Sequence, residues 1–314
     1  MPTYKFIINP VPLNRERREF LDRLKQGMIE RGINFSFEYT TKEKNAEQIA
    51  KQSAKQGYNI IVACGGDGTI REVVNGIYKT KSALAILPLG TANDFAKHLG
   101  LNSLHKAAIN LFEGKRKKID LGEVDLISHG KKKKILFCST SGIGFDCGLL
   151  KLNRSKTFLR IKRILKNISY PLFGLFLVFF YKSNEVELIF GDKKIATRLF
   201  MLNANFVKSM SGMKVTPHAG LNNNVFDIFM VEDSNILKKI IGFAWYGVTS
   251  KKINFKEVHY ISKTPHGSNR FNLADIKDFT ATSKTPIEVQ LNGDILGYTP
   301  AKFKILPKAI EIII

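Results

Sequence analysis

The sequence predicts an α/β domain with a doubly wound parallel sheet, followed by a β-rich, antiparallel, sandwich-like second domain. Three observations predict it. Strand-like and helix-like segments alternate as far as Asp120. Two glycine-bearing segments, Cys64-Gly65-Gly66-Asp67-Gly68-Thr69 and Pro88-Leu89-Gly90-Thr91-Ala92-Asn93-Asp94-Phe95, each follow an apolar run that reads as a buried parallel strand. Beyond Asp120 the pattern becomes short apolar runs punctuated by turn residues, as in antiparallel sheets.

The elements follow in order. Tyr4–Asn9 reads as a strand, Asn14–Arg31 as a charged helix and Asn34–Tyr39 as a strand. Lys42–Gln56 places Ala46, Ile49 and Ala50 on one helical face. Strand 58–63, the first glycine loop and helix 70–78 come next, then strand 83–87, the second loop and helix 92–98. In such sheets ligands bind beyond the carboxyl ends of the strands, where both glycine loops lie. After Asp120, strands are expected at Leu121–Asp125, Ile135–Ser141, Val186–Phe190, Ile195–Asn203, Val225–Val231, Glu257–Ser262, Phe279–Ala281 and Ile287–Leu291. Gly130, Gly191-Asp192, Asn222-Asn223-Asn224 and Gly293 supply turns between them. A helical insertion spans about 155–181. The expected domains are 1–122, completed by about 299–314, and 123–298.

Composition narrows the function classes. A chain of 314 residues with 44% hydrophobic and 24% charged residues is globular and long enough for two cores. Three cysteines, Cys64, Cys138 and Cys147, show no CxxC spacing, which argues against a disulfide framework and against zinc. The longest apolar stretch, Ile168–Tyr181, is 14 residues and contains Ser169, Pro171 and Gly174. A membrane span needs about 20 residues, so no transmembrane helix is expected. Met1-Pro2-Thr3-Tyr4-Lys5 runs straight into the strand-like Phe6-Ile7-Ile8 with no visible signal, so the expectation is a cytoplasmic protein. A net charge of +22 attracts polyanions, either nucleic acid or an anionic membrane face. No helix-turn-helix, RRM or KH signature accompanies the dispersed basic residues, so nucleic acid is not the expected partner.

The two loops carry the chemistry. Glycine after a strand lets backbone N–H groups approach phosphate oxygens, and a carboxylate beside the loop can hold phosphate-bound Mg²⁺. Each acidic residue also has a plainer reading. Asp67 in a Gly-Asp-Gly turn can satisfy the turn backbone, Asn93-Asp94 can cap the helix beginning near Phe95, and Gly293-Asp294 can be a hairpin turn.

The chain resembles the diacylglycerol kinase catalytic-domain family, and within it the soluble bacterial lipid kinases. The resemblance rests on Gly65-Gly66-Asp67-Gly68-Thr69-Ile70-Arg71-Glu72-Val73-Val74-Asn75-Gly76 and on Leu87-Pro88-Leu89-Gly90-Thr91-Ala92-Asn93-Asp94-Phe95-Ala96. Lys118-Ile119-Asp120-Leu121-Gly122, Ser141-Gly142-Ile143-Gly144-Phe145-Asp146 and Leu291-Asn292-Gly293-Asp294 extend it over nearly the whole length. NAD kinases and 6-phosphofructokinases resemble the first loop only, and the first domain is expected to be similar to theirs. The resemblance implies ATP- and Mg²⁺-dependent phosphorylation of a lipid hydroxyl, diacylglycerol first. A sphingoid base, ceramide, monoacylglycerol or phosphatidylglycerol is the alternative acceptor. It further implies that Gly65, Gly66, Gly68 and Thr69 cradle phosphate, that Asn9, Thr41 and Thr91 line the nucleotide site, that Asp67 and Asp94 surround the metal, and that Asp294 is the base.

Three departures stand out. The first loop reads Asn9-Pro10-Val11-Pro12-Leu13-Asn14 without the family's Ser-Gly, and its prolines remove backbone donors. Asn292-Gly293-Asp294 replaces an Asp-Gly-Glu triplet. Asn223 stands where the bacterial members carry an aspartate of a structural Mg²⁺ site, with Asp227 nearby. These departures keep open a catalytically weak, nucleotide-binding lipid sensor. For access to lipid, Phe158, Ile161, Leu165 and Ile168 share a helical face with Lys156, Arg160 and Lys166 opposite, which suits transient docking on an anionic membrane. The same residues also suit a helix packed on the second domain. Whether the chain is a monomer or a homodimer stays open.

Overall fold

The structure, a computed structural model, describes residues 2–41, 45–155, 169–210, 215–236, 238, 257–262, 271 and 273–314. They divide into two compact units. The first comprises Met1–Gly122, Leu136–Ser139 and Leu306–Ile314; the second comprises Glu123–Ile135 and Thr140–Ile305.

The first unit alternates β1 (Tyr4–Ile8), α1 (Arg15–Glu30), β2 (Phe35–Tyr39), α2 (Asn45–Lys55), β3 (Ile60–Gly65), α3 (Asp67–Ile77), β4 (Ala83–Pro88), α4 (Asp94–His98) and α5 (Leu104–Glu113). The strands pair in parallel in the order β2-β1-β3-β4, with Tyr4 opposite both Phe35 and Ile60, and Gly65 opposite Pro88. At the chain terminus Ile312 pairs in parallel with Leu84. Every residue of β1, β3 and β4 is buried, so β3 and β4 read as unbroken apolar runs, while β1 interrupts its run with Lys5, which pairs with Glu38 at 2.6 Å. The shared register brings the ends of β1, β3 and β4 to one sheet edge.

Local chemistry sets the helix ends. Asn14 caps α1 by accepting from Arg17 N at 2.9 Å, and Ser103 caps α5 by accepting from Lys106 N at 3.2 Å. Glu72 on α3 accepts from Ala46 N at 3.2 Å and so serves the start of α2. Helix α5 was not among the expected elements. Its only signals are the Ser103 cap and the buried Ala107 and Leu111 one turn apart.

Three strands contribute residues to both units: β5 (Arg116–Ser128), β6 (Lys131–Phe137) and β14 (Asp294–Ile313). The second unit further holds β7 (Thr140–Gly144), α6 (Phe145–Arg154), α7 (Ser169–Phe180), β8 (Asn184–Phe190), β9 (Lys193–Asn205), β10 (Asp227–Glu232), β11 (Val258–Ile261), β12 (Asp278–Thr282) and β13 (Glu288–Leu291). Antiparallel pairing runs β11-β10-β9-β7-β13-β14, and β12 pairs with both β8 and β14. Aromatic rings pack in its core: Phe279 stacks on Phe303 and Phe190 with centroids 4.3 and 5.5 Å away, and meets Phe226 edge-on at 5.8 Å. One expected strand is corrected. Residues 135–141 form two strands, because β6 ends at Phe137, Cys138-Ser139 intervene and β7 starts at Thr140. Asn75 of α3 takes both backbone groups of Leu136, donating to its O at 2.9 Å and accepting from its N at 2.9 Å. Of the insertion, α7 is described, while the basic stretch 156–168 lies outside the described residues.

Candidate active site

In the first unit the two glycine loops are fastened to each other. Leu89 N and Gly90 N donate to Gly65 O at 3.0 and 3.2 Å. A side chain on Gly90 would collide with the Gly66 backbone, and one on Gly65 would collide with the Thr69 side chain. These glycines therefore allow the loops to close on each other, a demand separate from phosphate approach.

Asp67, the first residue of α3, crosses that junction. Its Oδ2 accepts from Asp94 N at 3.1 Å and its Oδ1 from Phe95 N at 3.0 Å. It thus caps α4 from the neighbouring loop. Asn93, at the position before α4, makes no side-chain cap bond and adopts a left-handed backbone with φ 51°. Its amide instead donates to Gly90 O at 3.0 Å and Pro88 O at 3.3 Å, closing the second loop. The plain readings of this pair were an Asp67 turn and an Asn93-Asp94 cap; the structure exchanges their roles. Burial pushes the Asp67 carboxyl up to about 6; the Phe95 and Asp94 N–H groups pull against this, and the Asp94 charge adds to it.

Around this pair, Asn9 donates from Nδ2 to Thr69 Oγ1 at 3.4 Å and accepts at Oδ1 from Val11 N at 3.0 Å. The first loop is thereby joined to the glycine loop despite its prolines. Thr91 and Thr41 are exposed; Thr41 N donates to Asn45 Oδ1 at 3.0 Å. Gly66, Asp67, Gly68 and Asp94 are half-buried, leaving the loop accessible beside the two carboxylates. The structure therefore brings Asn9, the Gly65–Thr69 loop, Thr91 and Asp94 to one edge of the first unit's sheet.

Asp294 belongs to the second unit. Asn292 (φ 50°) and Gly293 (φ 82°) form a two-residue turn between β13 and β14, and Asp294, half-exposed, sits opposite Leu291. Asn292 N donates to Thr140 O at 2.7 Å, and Gly293 N to Gln290 Oε1 at 3.0 Å.

Residues 3–124 match the diacylglycerol kinase catalytic domain. The diacylglycerol kinase of Bacillus subtilis is 27% identical over 318 residues, covering 100% of this chain and 96% of that protein. The similarity to diacylglycerol kinases thus runs through the first unit and extends over the whole of this chain. The diacylglycerol kinase of one Staphylococcus aureus strain (bovine RF122) is 25% identical, covering 98% of this chain and 91% of that protein. A crystal structure of a diacylglycerol kinase from Bacillus anthracis superposes with a TM-score of 0.70 at 19% identity, covering 99% of this chain and 96% of that one. Yeast NADH kinase shares the fold more distantly, with a TM-score of 0.50 at 12% identity over 99% of this chain and 82% of that one.

The fit of the two expected metal positions differs. Asp67 and Asp94 are close enough for the charge of Asp94 to raise Asp67, which sets two carboxylates beside the glycine loop. That donor set suits a divalent cation. At the second position, Asn223 donates from Nδ2 to His218 O at 3.4 Å and packs over Gly220. Asn222-Asn223-Asn224 offers amides where carboxylates are needed, and among the described residues no cluster of three His, Cys, Asp or Glu forms. This donor set does not fit a structural cation.

Proposed function

We propose that the chain catalyses ATP- and Mg²⁺-dependent phosphorylation of a lipid hydroxyl, with diacylglycerol as acceptor and phosphatidic acid as product. The observation that carries this reading is the double hydrogen bond from the second loop to Asp67, which makes one rigid acidic corner of two loops. On this reading the doubly wound first domain resembles that of the NAD kinases and phosphofructokinases. Gly65, Gly66, Gly68 and Thr69 cradle phosphate, Asn9, Thr41 and Thr91 line the nucleotide, and Asp67 with Asp94 holds Mg²⁺. When bound, Mg²⁺ offsets the negative charge on the phosphates. Asp294 accepts the proton as the lipid oxygen bonds to the γ-phosphorus and the bond to ADP breaks. Asp is about 1.5 Å shorter in reach than Glu, and misplacement of about 1 Å can cost roughly a hundredfold in rate, so this base favours a slow enzyme.

The lipid is reached from a membrane surface. Among the described residues no helix is long and apolar enough to cross a bilayer. Helix α7 instead exposes Phe176, Phe179 and Phe180 by 56%, 57% and 67% while Val178 is buried against Phe145 and Phe200. The preceding sequence holds Lys156, Arg160, Lys162, Arg163 and Lys166 with no acidic residue. We assign this segment to an anionic bilayer surface.

The test is transfer of radiolabelled phosphate from Mg²⁺-ATP to a lipid panel in mixed micelles. Labelling of diacylglycerol supports the reading. Labelling of a sphingoid base, ceramide, monoacylglycerol or phosphatidylglycerol alone moves the substrate and keeps the chemistry. ATP binding with no labelled lipid points to the nucleotide-binding sensor.

A further inference from the structure

Three adjacent strands of the second unit form one rung: Gln290 on β13 pairs with Gly142 on β7, and Gly142 pairs with Asn203 on β9. The central position has no side chain, and any Cβ there would collide with the carboxylate of Asp146. That carboxylate, from the first turn of α6, fills the space over Gly142. Its Oδ2 accepts from Asn203 Nδ2 at 2.8 Å and from Gln290 Nε2 at 3.0 Å, and its Oδ1 from Cys147 N at 2.9 Å. Asp146, Asn203 and Gln290 are all nearly fully buried.

An ionised group in such a place is costly unless its partners hold it, and here they are amides rather than cations. The arrangement therefore fixes orientation. With Nε2 committed to Asp146, the Gln290 side chain can only present Oε1 at its other end. That oxygen accepts from Gly293 N at 3.0 Å, inside the turn that leads into Asp294. Cys147 adds a second tie, since its Sγ lies 3.4 Å from Glu288 O at the start of β13.

We propose that Asp146 is a positioning residue: through Gln290 it holds the Asn292-Gly293 turn in register and so fixes where the Asp294 carboxylate stands. This rests on the reading of Asp294 as the base. Asp146 touches neither nucleotide nor lipid in this scheme. It matters because a short base with little reach depends on a rigid support.

The test uses Asp146→Asn and, as a volume-conserving control that leaves Asp146 in place, Gln290→Met. Hydrogen exchange of the peptide covering 290–295 is read beside kcat and KM in the diacylglycerol assay. Both variants should speed exchange at the turn by about tenfold, the loss of one hydrogen bond. Both should lower kcat by about tenfold to a hundredfold while KM for ATP stays within about twofold. Combining Asp146→Asn with Gln290→Glu restores a donor–acceptor pair and an acceptor for Gly293 N, and should recover most of kcat. Unchanged exchange in both variants overturns the hold of Asp146 on the turn. Faster exchange with unchanged kcat overturns its catalytic consequence. If the unsubstituted protein labels no lipid, the reading of Asp294 fails, and the exchange rates, which need no activity, still decide whether the tie exists.

Discussion

Asp67 does two things that a sequence motif does not distinguish. It accepts from the backbone of Asp94 and Phe95, and it contributes charge to the acidic corner. Asp94 contributes charge while only its backbone enters the cap. The two substitutions should therefore part company. Asp67→Ala is expected to abolish transfer and to lower stability by about 1–2 kcal/mol, the cost of a lost cap. Asp94→Ala should abolish transfer with a melting temperature close to that of the unsubstituted chain. Thermal melts beside the transfer assay check both. The glycines, Asp67 and Asp94 were legible because glycine after an apolar run marks a loop at a sheet edge. The cap between loops was not, since donor and acceptor lie 27 and 28 residues apart and only the β3–β4 register brings them together. Asp146 closes the Ser141–Asp146 motif with no role attached to it, and Gln290 and Asn203 stand outside every motif until three strands align.

At the scale of elements, alternating strands and helices made the first unit readable, because parallel strands buried on both faces leave unbroken apolar runs. Antiparallel strands with mixed burial gave looser boundaries, and the break at Cys138-Ser139 leaves no mark in the apolar run 135–138; Leu136, just before it, is bonded to Asn75 of α3, 61 positions away. Two elements carry their own tests. Phe279 on β12 packs against Phe190, Phe226 and Phe303, so Phe279→Ala should destabilise the chain by about 3–5 kcal/mol, measured by denaturant unfolding. Helix α7 buries Val178 but presents its phenylalanines outward, so replacing Phe176, Phe179 and Phe180 by Ser should leave stability nearly unchanged. The same replacement should weaken sedimentation with anionic vesicles. Undiminished vesicle binding would exclude α7 as the docking element.

Across the whole molecule, charge sets two behaviours. The excess of +22 predicts that vesicle binding falls as salt rises, because exposed charges are screened within about 10 Å at 0.1 M. The second concerns pH. Burial raises Asp67 and Asp146 to about 6 and Asp227 to about 7. Between the ordinary carboxylate range and these values the folded chain holds more protons than the unfolded one. The contribution of these groups is thus full at low pH and is lost as pH rises through 6 to 7. Asp227→Asn removes one such group, so its melting temperature relative to the parent should climb between pH 5 and pH 8. A difference that is flat with pH would show that Asp227 titrates normally.

The acidic corner is the centre of the account, and it is tested most directly by phosphate transfer from Mg²⁺-ATP to diacylglycerol in three proteins: the parent, Asp94→Ala, and, as a control, Thr3→Ala, whose hydroxyl donates to Asn59 Oδ1 at 3.1 Å ahead of β1, at the other end of that strand from Asn9. Labelled phosphatidic acid from the parent and the control, and none from a normally melting Asp94→Ala, is the predicted result. Full transfer by Asp94→Ala would contradict it, because the carboxylate paired with Asp67 would then have no part in the reaction.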